Sequence, residues 1–266
     1  MKTLELKAVQ NNAKIGKSCS DIEPNIVEDT LFVEDGEVIG FYIRTVNDRL
    51  KGLINIANAE FLSDRVPKQE MSRGPQGTKA QKLERAKNDA QLVTQYSTIL
   101  GGVPPKPHMR RPYPSISQVH RVKTAQNFIK AMMLACKESE RILADIAPKI
   151  YIQQKNIVEK NIPKKWRFGE LFTSSISNFN IAAKYHRDAA NLKGCVNVIL
   201  TKRYGSVGGN TSVPDYGATV DSCDNSMLVY PAWRNVHGVT PIRPTKDGGY
   251  RNSLVFYALQ AFSGYN

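Results

Sequence analysis

Short β-rich runs broken by Gly, Asn, Asp and Pro fill the sequence after residue 172, and this texture limits the fold more than any other feature. The runs cover 176–184, 195–203, 217–221, 226–231 and 252–259. Several short strands at this spacing are typical of a sandwich or a jelly roll. We therefore expect the C-terminal part of the chain to form a compact β core.

The N-terminal part has a mixed pattern. Asp35-Gly36 separates two β-rich runs within 30–44, which predicts a hairpin with a type I′ turn. Apolar residues at helical spacing predict a helix over 49–62, capped by Asp48, and a long amphipathic helix over 124–147 that ends before Pro148. The Pro- and Gly-rich segments 64–82 and 101–114 are expected to be irregular.

These elements suggest how the chain is organised. We expect 1–123 to be a basic region whose hairpin, helix and loops pack on the core. We expect 124–266 to be the core with its long supporting helix, so that the chain forms one compact unit. The predicted fold class is therefore α+β.

The charge balance points to a polyanionic partner. The 266 residues contain 37 Lys and Arg against 24 Asp and Glu, which gives a net charge of +13. Such an excess favours nucleic acid as a partner. The sequence lacks both a membrane-length apolar run and an apolar signal segment, so an intracellular, soluble protein is expected. The four cysteines are too dispersed to indicate a zinc site or a disulfide framework.

A basic cluster lies in the Pro-rich segment 101–114. It contains Lys106, Arg110 and Arg111. One interpretation is a solvated loop. The other is a strip that contacts phosphates, because a proline-stiffened backbone that carries Arg loses little entropy when it docks on a sugar-phosphate chain. The sequence leaves both interpretations open.

Three residues of the C-terminal half could hold a metal ion. His186 and Asp188 are two residues apart, which puts both side chains on one face of an extended strand. His237 could lie opposite them on a second strand. Two His and one carboxylate leave three positions of an octahedral ion open, as in non-haem Fe(II) oxygenases. Alone, an H-x-D pair is a weak signal.

Arg251 and Ser253 strengthen that signal. They lie two residues apart in a strand-like run, so the guanidinium and the hydroxyl would share a face and could hold one end of a dicarboxylate. The alternative for Arg251 is an exposed side chain on a strand edge.

The order of these residues resembles the TET/JBP family of 2-oxoglutarate- and Fe(II)-dependent dioxygenases, in particular its compact phage and microbial members. The matching elements are His186-x-Asp188-x-x-Asn191, then Gly208-Gly209 with Val213-Pro-Asp-Tyr-Gly217, then Trp233-x-x-x-His237-Gly-Val-x-Pro241, and finally Arg251-x-Ser253-x-x-x-Tyr257. They span about 170–260, roughly a third of the chain. The resemblance implies a double-stranded β-helix, which is a distorted jelly roll, with supporting helices from the N-terminal half.

The resemblance also implies roles for single residues. His186, Asp188 and His237 would ligate Fe(II), while Arg251 and Ser253 would hold the distal carboxylate of 2-oxoglutarate. Two further residues would bind a pyrimidine flipped out of DNA, Asn191 by hydrogen bonding and Tyr257 by stacking. Hydrogen-bond readout of the base edge and aromatic stacking are the contacts that such a base needs. A capping role for Asn191 and a packing role for Tyr257 are the alternatives.

The sequence departs from animal family members in two respects. Leu259 stands where they have a His that contacts the base, so 5-methylcytosine and thymine both remain open as substrates. Their Cys-rich zinc region is missing, so DNA contacts would come from the basic N-terminal half.

We accordingly expect a DNA dioxygenase that oxidises the C5 methyl of a flipped pyrimidine, converting 5-methylcytosine to 5-hydroxymethylcytosine and onward, with ascorbate as the reductant in vitro. The alternatives are a 2-oxoglutarate oxygenase acting on thymine in DNA, RNA, nucleotides or protein side chains, and a catalytically silent nucleic-acid-binding protein.

Overall fold

The structure, a computed structural model, describes residues 1–71 and 95–265. Within these residues there are three α-helices, namely α1 (Asp48–Leu62), α2 (Gln126–Ile146) and α3 (Pro148–Asn161). The strands are β1 (Lys2–Glu5), β2 (Thr30–Glu34), β3 (Glu37–Ile43), β4 (Gln69–Glu70), β5 (Tyr96–Val103), β6 (Ser115–Ile116), β7 (Ser174–Phe179), β8 (Asn197–Tyr204), β9 (Ser206–Gly208), β10 (Thr211–Val213), β11 (Ala218–Val220), β12 (Met227–Tyr230), β13 (Gly238–Val239), β14 (Ile242–Pro244) and β15 (Tyr250–Tyr257).

One large sheet dominates the described part of the chain. Its order is β1-β2-β3-β12-β8-β15-β7-β5-β4, with β6 added at β5. Two smaller sheets also form, β11-β10-β13 and β14-β9. Strands from the N-terminal region thus belong to the same sheet as β8 and β15. The proposed division at residue 123 stays a prediction, but the sheet is continuous across it.

Side-chain alternation gives the large sheet two different faces. Val198 and Leu200 of β8, like Leu254 and Phe256 of β15, join the largest apolar cluster together with residues of α1 and α2. The intervening positions, among them Ile199, line a cavity on the opposite face. Because side chains alternate along a strand, the same strands both anchor the core and carry the cavity wall.

The predicted hairpin is confirmed. β2 and β3 are antiparallel and meet at Asp35 and Gly36, whose φ angles are 51° and 78°. Two consecutive positive φ angles are what a type I′ turn requires, which explains the Asp-Gly pair.

Both predicted helices form, but the predicted cap of α1 was wrong. Asn47, not Asp48, caps α1, because its side chain accepts a hydrogen bond from Leu50 N at 2.9 Å. Helix α2 stops at Ile146, before Pro148 as expected, and Pro148 is also the first residue of α3. Proline fits that position because the first helical N–H has no partner within the helix.

The predicted β-rich runs all contain strands, with boundaries shifted by one to five residues. Several strands were missed, notably β1 and β5. The segment 101–114 was expected to be irregular, yet its first three residues belong to β5. The predicted loop 64–82 contains the short β4 in its described part, and its remainder lies outside the described residues.

Two further expectations concern membranes and thiols. Within the described residues, no helix is both long and apolar enough to cross a membrane. All four cysteines are free, and Cys19, Cys136 and Cys195 are buried while Cys223 is half-buried.

Candidate metal and dicarboxylate site

His186, Asp188 and His237 come together at the cavity. The Nε2 atoms of His186 and His237 lie 3.3 and 3.8 Å from Asp188 Oδ1, and the three potential ligand atoms are all within 4.8 Å of one another. Ligand atoms bound about 2 Å from one ion at right angles are about 3 Å apart, so this spacing suits a single metal ion. The structure therefore brings together the three predicted ligands.

Backbone pairing positions the two imidazoles. His186 and His237 form an antiparallel bridge in which each backbone N–H donates to the other's carbonyl, at 2.8 and 2.9 Å. Asp188 is fixed by its own N–H, which donates to Ala232 O at 3.1 Å. Backbone hydrogen bonds thus hold His186 and Asp188 opposite His237, although both residues lie outside the long strands.

The hydrogen bonds at Nδ1 turn Nε2 of both imidazoles toward Asp188. His186 Nδ1 donates to Lys184 O at 2.7 Å, and His237 Nδ1 donates to Asn235 O at 3.1 Å. In an imidazole that donates from Nδ1, Nε2 is the nitrogen that can bind a metal ion. Backbone partners on the remote nitrogen are also usual for metal-binding His.

The electrostatics of the three groups fit the same role. Burial lowers the pKa of His237, with Asp188 opposing this effect and His186 adding to it. Burial raises the pKa of Asp188, but a hydrogen bond from His186, charge on both imidazoles and a hydrogen bond from Asn197 outweigh it, so the net shift is downward. The shift at Asp188 favours the carboxylate and the shift at His237 favours the neutral imidazole, and these are the forms that bind metal. His186 is the exposed member, with 41% of its side chain accessible against 5% for His237.

Arg251 is a buried cation in the wall of the same cavity, whose volume is about 510 Å³. Its side chain is 2% exposed, and burial, with some repulsion from Arg203, lowers its pKa to about 9. Nη2 donates to Ser222 Oγ at 3.3 Å, Nε has no partner, and no described carboxylate pairs with the guanidinium. A buried guanidinium without an anion is costly and suits a ligand carboxylate. Ser253 lines the cavity beside it, which fits the predicted pair.

The Gly208-Gly209 motif is explained by the position of Arg251. Gly209 has a φ of +66°, and a Cβ on it would collide with the Cδ of Arg251. Arg203, which lies directly opposite Arg251 in the β8–β15 pair, donates to Ser206 O at 3.0 Å and to Gly208 O. Glycine is thus needed because the backbone passes against the guanidinium stem. The sequence indicated the motif but not the role of Arg203.

The predicted base contacts also line the cavity. Asn191 is 4% exposed, Tyr257 lies on β15 at the same face as Arg251, and both border the cavity with Leu259. Burial and the nearby Asp188 charge raise the pKa of Tyr257, so the phenol stays neutral.

The predicted phosphate contacts lie elsewhere. Arg110 and Arg111 are exposed in the loop after β5, and Arg111 pairs with Lys106 through the backbone. Neither residue lines the cavity. The structure therefore does not bring them to the other predicted site residues.

Among the residues that sequence reasoning missed, two contact the candidate metal ligands. Asn197 donates from Nδ2 to Asp188 Oδ2 at 2.9 Å, and Tyr230 packs edge-on against His237 with ring centroids 5.4 Å apart. A polar Asn inside the apolar run Val196-Asn197-Val198 was the signal that could have identified Asn197. Tyr230 carries no such signal, because an aromatic residue in a strand is ordinary core.

Comparison with solved structures gives a fold-level match. The chain is similar to NgTET1 in complex with 5mC DNA, with a TM-score of 0.57 and 13% identity over 95% of this chain and 84% of that chain. Weaker similarities are to an oxidoreductase of the 2OG-Fe(II) oxygenase family from Burkholderia pseudomallei (TM-score 0.42, 13% identity, 78% of this chain and 79% of that chain) and to a full-length Neurospora crassa protein in complex with alpha-KG (TM-score 0.40, 14% identity, 82% and 74%). No protein-family model and no curated protein sequence matches the chain. At this identity, the likeness to the TET enzyme shows a shared fold. The predicted α+β class with a jelly-roll core is confirmed, as is the TET-like resemblance at the level of the fold.

Proposed function

We propose that the protein is a 2-oxoglutarate- and Fe(II)-dependent DNA dioxygenase that oxidises the C5 methyl of a flipped pyrimidine, converting 5-methylcytosine to 5-hydroxymethylcytosine and onward. One observation carries this proposal. A single cavity holds three converging metal-ligand atoms and a buried guanidinium that has no carboxylate partner among the described residues. The cavity thus offers ligand atoms for a cation at one place and a partner for an anion at another, and a ferrous ion with a bound keto-dicarboxylate would fit both.

The residues of the cavity would divide the work. His186, Asp188 and His237 would hold the iron, and Arg251 with Ser253 would anchor the distal carboxylate of 2-oxoglutarate. Iron and 2-oxoglutarate together supply the chemistry that activates dioxygen for hydroxylation. The protein binds both, orients the methyl group and shields the site from water.

The base would be held by residues on the remaining wall. Tyr257 would stack on the flipped ring, a contact worth about 1–3 kcal/mol per base, and Asn191 would hydrogen-bond to its polar edge. A base inside a duplex cannot reach a residue as buried as His237, so extrusion is required. The TET enzyme of shared fold was solved with 5mC DNA, which supports DNA as the substrate class.

The phosphates of an extruded nucleotide must pass the mouth of the cavity. Arg187 lines the cavity and is exposed, and Lys193 is exposed in an adjoining groove that Lys160 also lines. Within the described residues, none of these three cations pairs with a carboxylate. We propose this rim as a phosphate contact. The loop with Arg110 and Arg111 stays a second proposed contact.

The test is oxidation of methylated duplex DNA with Fe(II), 2-oxoglutarate and ascorbate, followed by nucleoside mass spectrometry. We expect oxidised 5-methylcytosine from the wild type and none from His186→Ala or Asp188→Ala, with loss of bound iron in both variants. Asp247→Ala, which removes an exposed carboxylate outside the cavity, is the matched control and should retain both properties.

Other outcomes of the assay would replace the proposal. Succinate without a modified base would discard DNA as the substrate, and competition by RNA, nucleotides or proteins would then identify the class. Absence of any iron-dependent decarboxylation would favour a silent nucleic-acid-binding protein.

A further inference from the structure

Asn197 links a candidate iron ligand to a candidate base contact. Its Nδ2 donates to Asp188 Oδ2 at 2.9 Å, and its Oδ1 accepts from Asn191 Nδ2 at 2.8 Å. Asn191 and Asn197 are 4% and 3% exposed, and both line the cavity. The three side chains therefore form one hydrogen-bonded chain from the metal end of the cavity to its wall.

The direction of this chain is fixed by Asp188. An ionised carboxylate only accepts hydrogen bonds, so Asn197 must turn its amide nitrogen toward it. The oxygen of Asn197 then faces Asn191 and requires a donor, so Asn191 must present its own nitrogen. Turning either amide over would place two acceptors or two donors against each other in a buried site, which is unfavourable.

The oxygen of Asn191 is consequently left for a ligand. This oxygen accepts no hydrogen bond from a described residue, and it retains some accessible surface in a side chain that lines the cavity. A group that meets this oxygen must be a donor.

5-Methylcytosine and thymine differ in the polar substituent on C4 of the ring. If the C5 methyl points to the metal, the nearest polar group of the ring is the substituent on C4, because C6 carries only hydrogen. This substituent is an amino donor in 5-methylcytosine and a carbonyl acceptor in thymine. Asn191 follows Asp188 by three residues and is joined to it through Asn197, which places its side chain near the candidate metal ligands.

We propose that Asn197 is a positioning residue that locks Asn191 with its oxygen toward the base and thereby selects 5-methylcytosine over thymine. The inference rests on the proposed function. It assigns the choice of base to an amide pair, in a chain whose Leu259 cannot form a hydrogen bond through its side chain.

The experiment compares target bases in otherwise identical DNA. Each target is placed opposite an abasic analogue, so that flipping costs are similar, and it is 5-methylcytosine, thymine or 5-methylpyrimidin-2-one, which lacks the amino group. Oxidation is followed as kcat/KM, and binding of the same DNAs to metal-free protein is measured by fluorescence anisotropy. The wild type should prefer 5-methylcytosine by about 10- to 100-fold over either other base, the usual range for one buried unpaired polar group.

Two substitutions test whether Asn197 fixes the orientation of the Asn191 amide. Asn197→Ala and Asn197→Ser both remove the amide that joins Asp188 to Asn191, and Ser keeps a small polar side chain at the buried position. Both should reduce the preference to about threefold or less. Asn58→Ala is the matched control, since Asn58 accepts from Asn252 Nδ2 at 3.1 Å in an amide pair outside the cavity and should not alter the preference.

The outcomes separate the two proposals. A wild type that oxidises no base ends the proposed function. A wild type that oxidises thymine as well as 5-methylcytosine leaves the function standing and overturns the inference. Variants of Asn197 that keep the wild-type preference also overturn it. If both variants are inactive, the binding preference of the metal-free protein decides in the same way.

Discussion

Replacing Arg251 by Met should stabilise the ligand-free protein and remove its response to 2-oxoglutarate. Arg251 is among the largest fully buried side chains of the described residues, and its guanidinium has five N–H donors. One of them reaches Ser222 Oγ, and Nε is buried without a partner. Met retains the unbranched stem that packs against Gly209 and removes the charge.

The expected gain is about 1–3 kcal/mol. An unpaired charge in a protein interior costs several kcal/mol, and replacing a buried ionic group by an apolar residue of similar volume often stabilises by about 1–4 kcal/mol. The cavity beside Arg251 admits water, which reduces the gain. For a chain of this size, roughly 2–4 °C per kcal/mol is typical, so the melting temperature should rise by about 2–10 °C.

Scanning calorimetry of metal-free protein, with and without 2-oxoglutarate, measures both effects. A ligand at 100 times its Kd stabilises the native state by about 2.7 kcal/mol, and we expect this in the wild type but not in Arg251→Met. Arg203→Met is the control, because that Arg donates to two backbone carbonyls and its loss should destabilise. An Arg251→Met protein as unstable as Arg203→Met, or one that still responds fully to 2-oxoglutarate, would refute the reasoning.

Two other changes test the proposed DNA surface and a buried carboxyl group. Joint substitution of Arg187 and Lys193 by Ala should weaken DNA binding and reduce the slope of log affinity against log salt by about 1.5–2, measured by fluorescence anisotropy. An unchanged slope would exclude the rim from the DNA interface. The double Ala variant of Arg110 and Arg111 tests the loop in the same assay. Burial raises the pKa of Glu140 from 4.5 to about 6, despite hydrogen bonds from two backbone N–H groups. A raised carboxyl pKa contributes stability that is fully present below about pH 4.5 and is lost as the pH rises through about 6, here about 2 kcal/mol. Glu140→Gln should therefore abolish this loss of unfolding free energy, measured by urea unfolding across this pH range. A parallel pH dependence in the two proteins would contradict the prediction.

The spacing of polar residues predicted which side chains of the candidate site lie on a common face. His186 and Asp188 share a face because they are two residues apart, and so do Arg251 and Ser253. Period-two alternation is a local property, so it is readable without knowing which strands pair. The pairing that brings His237 to His186 is not local, and only the order of the motifs suggested it.

What the sequence did not reveal depends on neighbours distant in the chain. Arg203 looks like an ordinary strand residue until β8 is placed beside β15, which puts it directly opposite Arg251. Strand β5 was missed because it ends in Gly101, Gly102 and Val103, and glycines are more typical of loops than of strands. It nevertheless pairs with β7 along six residues. Asn197 could be recognised as polar in an apolar run, but its hydrogen bonds to Asp188 and Asn191 required the fold.

The charges of the cavity also bear on whether the jelly roll is only a scaffold. A scaffold needs neither three metal-ligand atoms that converge, as at His186, Asp188 and His237, nor a buried Arg251 without a described carboxylate partner, whose burial lowers the stability of the ligand-free protein. A cation fits the first arrangement and a carboxylate fits the second. A ferrous ion with a chelated keto-diacid would satisfy both, and this is the pair of ligands that the proposed dioxygenase requires.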